Sequence, residues 1–328
     1  MKRVVSIFVS LVILGVIYWK IDFAGLVGVF QNCDRFWMTI SLGMVVPLTC
    51  ITAWRLQQLM PNNSSLGFFE ANKLILAASV LNMVLPSKMG DIAKAYFMKQ
   101  RGHLDGSLSL SLVVFEKACD MLSLLLWCAF GLIVYPNKDW LFWIMTGSVI
   151  FGLVMGVLLL GSRKFAAVFF IIGKAVLPKK MRPKLERLRL SWGEMHDYFW
   201  RDKLQLLKIS LTSVFIWFLH LLQIWFFILA LKAWTPMLAN LALSPLAILA
   251  GLLPLTFAGV GTRDAALILF YQPYFAAPTA AALGVLCTSR YLLPAIAGLP
   301  FLGQYLVAVR DRDFLLNHRG TEDAERRV

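Results

Sequence analysis

The sequence predicts an all-α, polytopic helical membrane protein with about six full spans plus two inverted re-entrant helical hairpins. Three observations lead there. First, 59% of the 328 residues are hydrophobic and the mean hydropathy is +0.72, more apolar surface than a water-soluble domain can bury. Second, six mostly apolar stretches approach or exceed the roughly 18–20 residues that cross ~30 Å of hydrocarbon. Third, two further apolar segments are interrupted in the same way. Residues 74–97 read LILAASVLNMVLPSKMGDIAKAYF and residues 246–270 read LAILAGLLPLTFAGVGTRDAALILF. Each is an apolar run, a Pro/Gly-containing break, an Asp and a second apolar run. Interrupted segments at matching positions of two halves point to a transporter-like site near the bilayer midplane.

The full spans are expected at 4–19, 37–54, 108–135, 140–161, 204–231 and 280–309. Lys2 and Arg3 precede the first as they would a signal peptide, but no small-residue cleavage site follows Trp19, so a retained helix is expected. The net charge of +14 raises nucleic acid as a partner, and the location of the charges dismisses it. Two basic residues lie at the N-terminus, six within 55–101, twelve within 163–208 and five from 310 onward. Only Lys20, Arg35, Lys138 and Lys232 fall in the remaining loops. That ratio of 25 to 4 is the positive-inside bias, and it implies contact with anionic lipids at the cytoplasmic face.

The same bias sets the topology. The span 37–54 returns to a cytoplasmic Arg55, and 108–135 must start inside after the basic stretch 88–101. Segment 74–97 therefore enters and leaves from the cytoplasm. By the same bookkeeping 246–270 enters and leaves from outside. Tyr18, Trp19, Phe36, Trp37, Tyr135, Trp140, Trp234, Tyr271 and Tyr274 fall at the expected outer boundaries. The chain then divides into a first membrane region (1–161, with hairpin 74–97), a cytoplasmic basic loop (162–203), a second membrane region (204–309, with hairpin 246–270) and a solvated tail (310–328). In the loop, Leu185, Leu188, Trp192, Met195 and Phe199 recur at helical spacing. Such an amphipathic helix lies in the head-group layer or packs on the protein's own cytoplasmic face, and both alternatives stand.

The candidate site residues are charges in apolar context. Glu116, Lys117 and Asp120 sit well inside a span, Glu116 and Asp120 on one face at i, i+4. Buried charge costs at least ~2.5 kcal/mol per residue on lenient scales, so these groups must meet partners or water. Either they form an ion-pair network locking helices, or they serve a headgroup or proton-coupled site. Asp91 is followed 26 residues later by Lys117, and Asp264 by Arg290 at the same offset. Lys88, Arg263 and Arg290 are candidates to converge on one anion. The alternative is that Arg263 and Asp264 pair with each other. Gly259 and Gly261, ahead of a helical run, offer backbone N–H groups at a helix N-terminus, as Gly90 does beside Asp91. His220 and Gln223 read as helix–helix hydrogen bonds or as a proton relay. Five scattered cysteines and four scattered histidines suggest neither disulfide nor metal. No cofactor and no catalytic set is expected.

At LPSKMGDIAKAYFMKQRG, SLSLVVFEKACD and PLTFAGVGTRDAAL the sequence resembles the flippase-like family that includes the transmembrane region of lysylphosphatidylglycerol synthase. That family's Gly-Asp break, intramembrane Glu-Arg-x-x-Asp and late Pro-x-x-x-x-Gly-x-Gly run in the same order over nearly the whole chain. Lys117 stands where the family has Arg, which keeps the charge but loses the planar fork that grips phosphate. The soluble aminoacyl-transfer domain of the bifunctional synthases has no counterpart in these residues, so that activity is not expected.

Taken together, these readings give a lipid flippase-like protein of a bacterial-type plasma (inner) membrane, with both termini cytoplasmic. It would bind and translocate an anionic phospholipid or lipid-linked headgroup. Lys88, Lys117, Arg263 and Arg290 would contact phosphate, with Asp91, Glu116, Asp120 and Asp264 orienting them. The alternatives are a membrane-embedded transferase using Glu116 or Asp120 as general base, and an accessory subunit of lipid biosynthesis that does not transport.

Overall fold

Apolar runs with backbone groups that cannot be left unpaired in hydrocarbon leave the helix as the available spanning structure, and every described element is a helix. The computed structural model describes residues 23–61, 66–84, 90–101, 104–135, 138–176, 182–252 and 261–325. The expected first span, 4–19, lies outside them. Five helical stretches are long and apolar enough to cross a membrane: Arg35–Leu59, Gly106–Val134, Trp140–Gly161, Lys203–Ala230 and Ala277–Gln304. They correspond to the other five expected spans.

In chain order the described helices are α1 (Phe23–Gln31), α2 (Arg35–Gly43), α3 (Val45–Leu59), α4 (Phe68–Val84), α5 (Gly90–Arg101), α6 (Gly106–Val134) and α7 (Trp140–Gly161). They continue with α8 (Arg163–Val176), α9 (Arg182–Arg201), α10 (Lys203–Ala230), α11 (Met237–Gly251), α12 (Thr262–Tyr271) and α13 (Ala277–Glu325). Four starts share one local cause. Asp34, Asp105, Asp139 and Asp202 are N-caps whose carboxylates accept from Phe36 N, Ser107 N, Phe142 N and Gln205 N at 2.8–3.0 Å, satisfying donors that the first helical turn leaves open. At Asp105, outside the span it caps, the Ser107 N–H holds the carboxyl below its ordinary value.

Each interrupted segment contributes two described helices that pack on each other, α4 with α5 and α11 with α12. Helix α5 lies on α4 so closely that a Cβ on Gly90 would stand 2.4 Å from Ala78 O and 2.6 Å from Asn82 N. Helix α12 runs back along α11, with Gly251 against the Arg263 side chain at one end. At the other end the Tyr271 hydroxyl meets Asn240 Oδ1 at 2.8 Å and Ser244 Oγ at 2.7 Å. Asn240 Nδ2 also donates to Leu221 O of α10 at 2.9 Å. This buried hydrogen-bond set corrects the expectation for Tyr271, which is fully enclosed rather than part of a boundary belt. Phe36, Trp140 and Trp234 of that belt are largely exposed.

The two halves interlock. Helix α4 of the first hairpin packs along α13, and α11 of the second packs along α6. Each crossing is made through a glycine against a backbone carbonyl. A Cβ on Gly298 would lie 2.1 Å from Leu76 O, and one on Gly131 would lie 2.3 Å from Ala242 O. Small residues permit such approach between helices in lipid. Gly298→Ala and Gly131→Ala are therefore expected to destabilise by about 1–3 kcal/mol or more, read as lower thermal midpoints in detergent. Unchanged midpoints would mean that the helices are not this close.

For the amphipathic stretch the structure takes one of the two alternatives left open. In α9, Trp192, Met195 and Phe199 are buried against the protein, and Phe199 stacks on Phe115 of α6 at 4.7 Å. The helix with an outward apolar face is the preceding one: α8 exposes Val168, Phe169, Ile171 and Ile172.

Candidate functional site

Interlocking leaves a cavity of about 420 Å³ lined by α3, α4, α5 and α6 of the first half and by α10 and α13 of the second. Seven ionisable charges line it: Arg55, Asp91, Lys94, Glu116, Lys117, Asp120 and Arg290. Six of them form one network.

Arg55 is its hub, enclosed by protein where the sequence reading set a basic residue of the cytoplasmic boundary. Only 1% exposed, it donates to Glu116 Oε1 at 2.9 Å, to Ser213 Oγ at 2.9 Å and, more closely, to Asp120 Oδ1. Lys94, read as part of the cytoplasmic basic stretch, is likewise buried and pairs tightly with Glu116 Oε2. Both cations can be drawn inward because carboxylates one α6 turn apart offset the cost of leaving water. Lys117 is held more loosely, 3.3 Å from Asp91 Oδ2 and 3.7 Å from Asp120 Oδ2, and 47% of its side chain is accessible. Asn82 Nδ2 approaches the other Asp91 oxygen at 3.4 Å.

Three cations thus face three carboxylates in alternation, and the network is neutral. Both oxygens of Glu116 and both of Asp120 have a cation within 4 Å, so neither carboxylate presents a free oxygen as a general base in this arrangement.

Arg290 stands apart on α13. It is 6% exposed, and its Nη1 donates to His220 O of α10 at 3.2 Å. Among the described residues its Nε has no hydrogen-bond partner and no carboxylate forms a salt bridge with it. The guanidinium lines the cavity. A desolvated cation in this position is costly unless an anion completes it.

The remaining candidates are placed elsewhere. Arg263 and Asp264 pair with each other at 2.7 Å, the second of the two alternatives for them. Arg263 Nη2 also donates to Gly284 O and Thr288 Oγ1. Gly261, at φ 105°, donates its N–H to Asp264 Oδ2 at 3.1 Å. Asp264 therefore occupies the N-terminus of α12 that the glycine motif was expected to offer an anion, and this buried set fastens α12 to α13. Neither Arg263 nor Asp264 lines the cavity. Asp91 and Asp264 accordingly have different partners, as do Lys117 and Arg290, despite the shared 26-residue offset. Gly90 supports the α4–α5 contact rather than lining the cavity. Lys88 and Gly259 lie outside the described residues. Gln223, from the helix–helix alternative, donates Nε2 to Ser41 O at 2.8 Å.

Arg55 and Lys94 are the site residues that sequence reasoning missed. One signal existed for Lys94. It lies three residues after Asp91, one helical turn along the same face.

Comparison with known proteins agrees with this architecture. Residues 3–298 match the family described as lysylphosphatidylglycerol synthase TM region. Two UPF0104 membrane proteins of Methanocaldococcus jannaschii are similar. One is 22% identical over 248 residues, covering 71% of this chain and 74% of the relative. The other is 22% identical over 189 residues, covering 57% and 77%. No solved structure matches the chain.

Proposed function

The chain belongs to the lysylphosphatidylglycerol synthase TM region family, and from that premise we propose that it binds the anionic headgroup of a lipid in the central cavity and carries it across the bilayer. The observation that supports this best is Arg290, a buried guanidinium on the cavity wall with no carboxylate partner among the described residues. Lys117, loosely held and accessible, supplies a second cation from α6. Between them a headgroup finds substitutes for water while its acyl chains remain in lipid. The other five members of the neutral network, Arg55, Lys94, Asp91, Glu116 and Asp120, hold Lys117 in place.

The same reading has α4–α5 and α11–α12 as re-entrant hairpins from opposite faces, related as inverted repeats. The order long apolar stretch, shorter pair, long helix recurs in α2–α6 and α10–α13, and the exchange of α4 onto α13 for α11 onto α6 supports it. Both termini are cytoplasmic in a plasma (inner) membrane, and the basic loops, including Arg163, Lys164 and Lys174 of α8, face anionic lipid. Cysteine labelling from either side tests the topology. The ends of each hairpin are expected on one face, and ends found on opposite faces would defeat it.

Function is tested by reconstituting the full chain into vesicles with labelled lipids. Anionic phospholipid is expected to equilibrate between leaflets faster than in protein-free vesicles, and phosphatidylcholine is not. Equal rates for both, or no acceleration of either, would remove the proposal's support.

A further inference from the structure

Resting on the anionic-headgroup reading, we propose that the headgroup is a phosphodiester of net charge −1 carrying a hydroxylated ring, a cyclic polyol such as a sugar or inositol. The charge follows from the wall. Arg55, Lys94 and Lys117 are matched by Asp91, Glu116 and Asp120, so Arg290 is the one unmatched charge among the described cavity residues. Its Nη1 donates to a carbonyl, while the buried Nε on its other edge has no hydrogen-bond partner among the described residues. That edge suits two oxygens on one phosphorus. A zwitterionic headgroup would leave the wall's surplus charge uncompensated, and one bearing extra ammonium groups would add to it.

The hydroxyls follow from four neutral residues of the same wall, Thr49, Thr52, Ser79 and Gln223, which offer acceptors. Thr49, Thr52 and Ser79 each donate their single proton to a carbonyl of their own helix, Val45 O, Leu48 O and Ile75 O at 2.7–2.9 Å. What they turn to a ligand is oxygen lone pairs. Gln223 is independent of these and carries more weight. It is fully buried on the cavity wall, its amide nitrogen is fixed by donating to Ser41 O, and its Oε1 has no partner among the described residues. The orientation of the amide is determined, because a backbone carbonyl can only accept. A buried acceptor left open is expensive unless a ligand donor or water meets it. Trp217 and Tyr291 add aromatic surface to the same cavity, suited to the C–H face of a polyol ring.

The experiment titrates the full-length protein in detergent with four probes. Dihexanoyl phosphatidylinositol has one negative charge and a hydroxylated ring. The methyl ester of dihexanoyl phosphatidic acid has the charge without hydroxyls, dihexanoyl phosphatidylcholine has no net charge, and glycerophosphoinositol has no acyl chains. Phosphatidylinositol is expected to bind at least tenfold tighter than the methyl ester, with no saturable binding of phosphatidylcholine. In Thr52→Val/Ser79→Ala that preference should shrink several-fold, while the methyl-ester affinity, unchanged, reports an intact cavity. Equal affinity for the two anionic lipids overturns the polyol inference and leaves the anionic reading standing. A preference that survives in the double variant overturns the role given to these hydroxyls. Binding of neither anionic lipid overturns the reading beneath both. Glycerophosphoinositol binding as tightly as the lipid keeps the polyol chemistry and overturns lipid as its source.

Discussion

Arg55→Gln is expected to cost the protein its fold rather than merely its activity. The guanidinium is shared by Glu116, Asp120 and Ser213 across three helices, α3, α6 and α10. Its removal leaves Asp120 with only the loose contact to Lys117 and Glu116 with Lys94 alone. Removing one partner of a buried ion pair costs about 3–5 kcal/mol, comparable with the whole net stability of many domains. In detergent the variant should show a lower thermal midpoint and reduced yield of monodisperse protein. Pairing it with Asp120→Asn restores the charge balance and should recover part of the loss. A single variant that melts like the parent would show that the network does not hold these helices together.

Arg290→Gln should do the opposite. Its contacts among the described residues are one hydrogen bond to His220 O, which a Gln amide can reproduce, and a cation–π approach to the Tyr291 ring at 5.7 Å, so folding should be little changed. What it removes is the charge offered to the cavity. A hydrogen bond to a charged group contributes about 1.5–3 kcal/mol, so anionic-lipid binding should fall on the order of 10-fold or more and translocation with it. Lys117→Gln should also weaken binding, since it removes one cation and leaves the Asp91 carboxylate without its partner on the cavity wall. Arg263→Gln is the control, for that guanidinium bonds Asp264, Gly284 O and Thr288 and should fail through packing. An Arg290→Gln protein that folds and moves lipid at the parent rate would leave the headgroup without its main anchor.

Much of this architecture is legible in the sequence because the bilayer makes strict demands on composition. Interrupted apolar runs announce the two packed helix pairs, and deep charges such as Glu116 and Lys117 announce a polar interior. The boundaries of that interior are less visible. Arg55 sits four residues before the end of α3, where a count of basic residues by loop assigns it to the cytoplasm. Only its pairing with a residue 61 positions away reveals that it turns inward. The same count gives no sign that Lys94 is buried and paired. At Arg263 and Asp264 the opposite error is instructive. Adjacent opposite charges beside a glycine break look like a ligand site, but the pair satisfies itself and leaves the cavity to Arg290.

The ionic network also has a place in time. All six of its members lie between residues 55 and 120, so every charge needed to balance it has left the ribosome before the second half is made. The first half can enter the bilayer electrically quiet, carrying Asp91, Lys94 and Glu116 as matched partners rather than as separate obstacles to insertion. Arg290 arrives 170 residues after that balance is complete, by which point the ion pairs it might have joined are already formed. Birth order along the chain, as much as geometry, leaves that cation unclaimed.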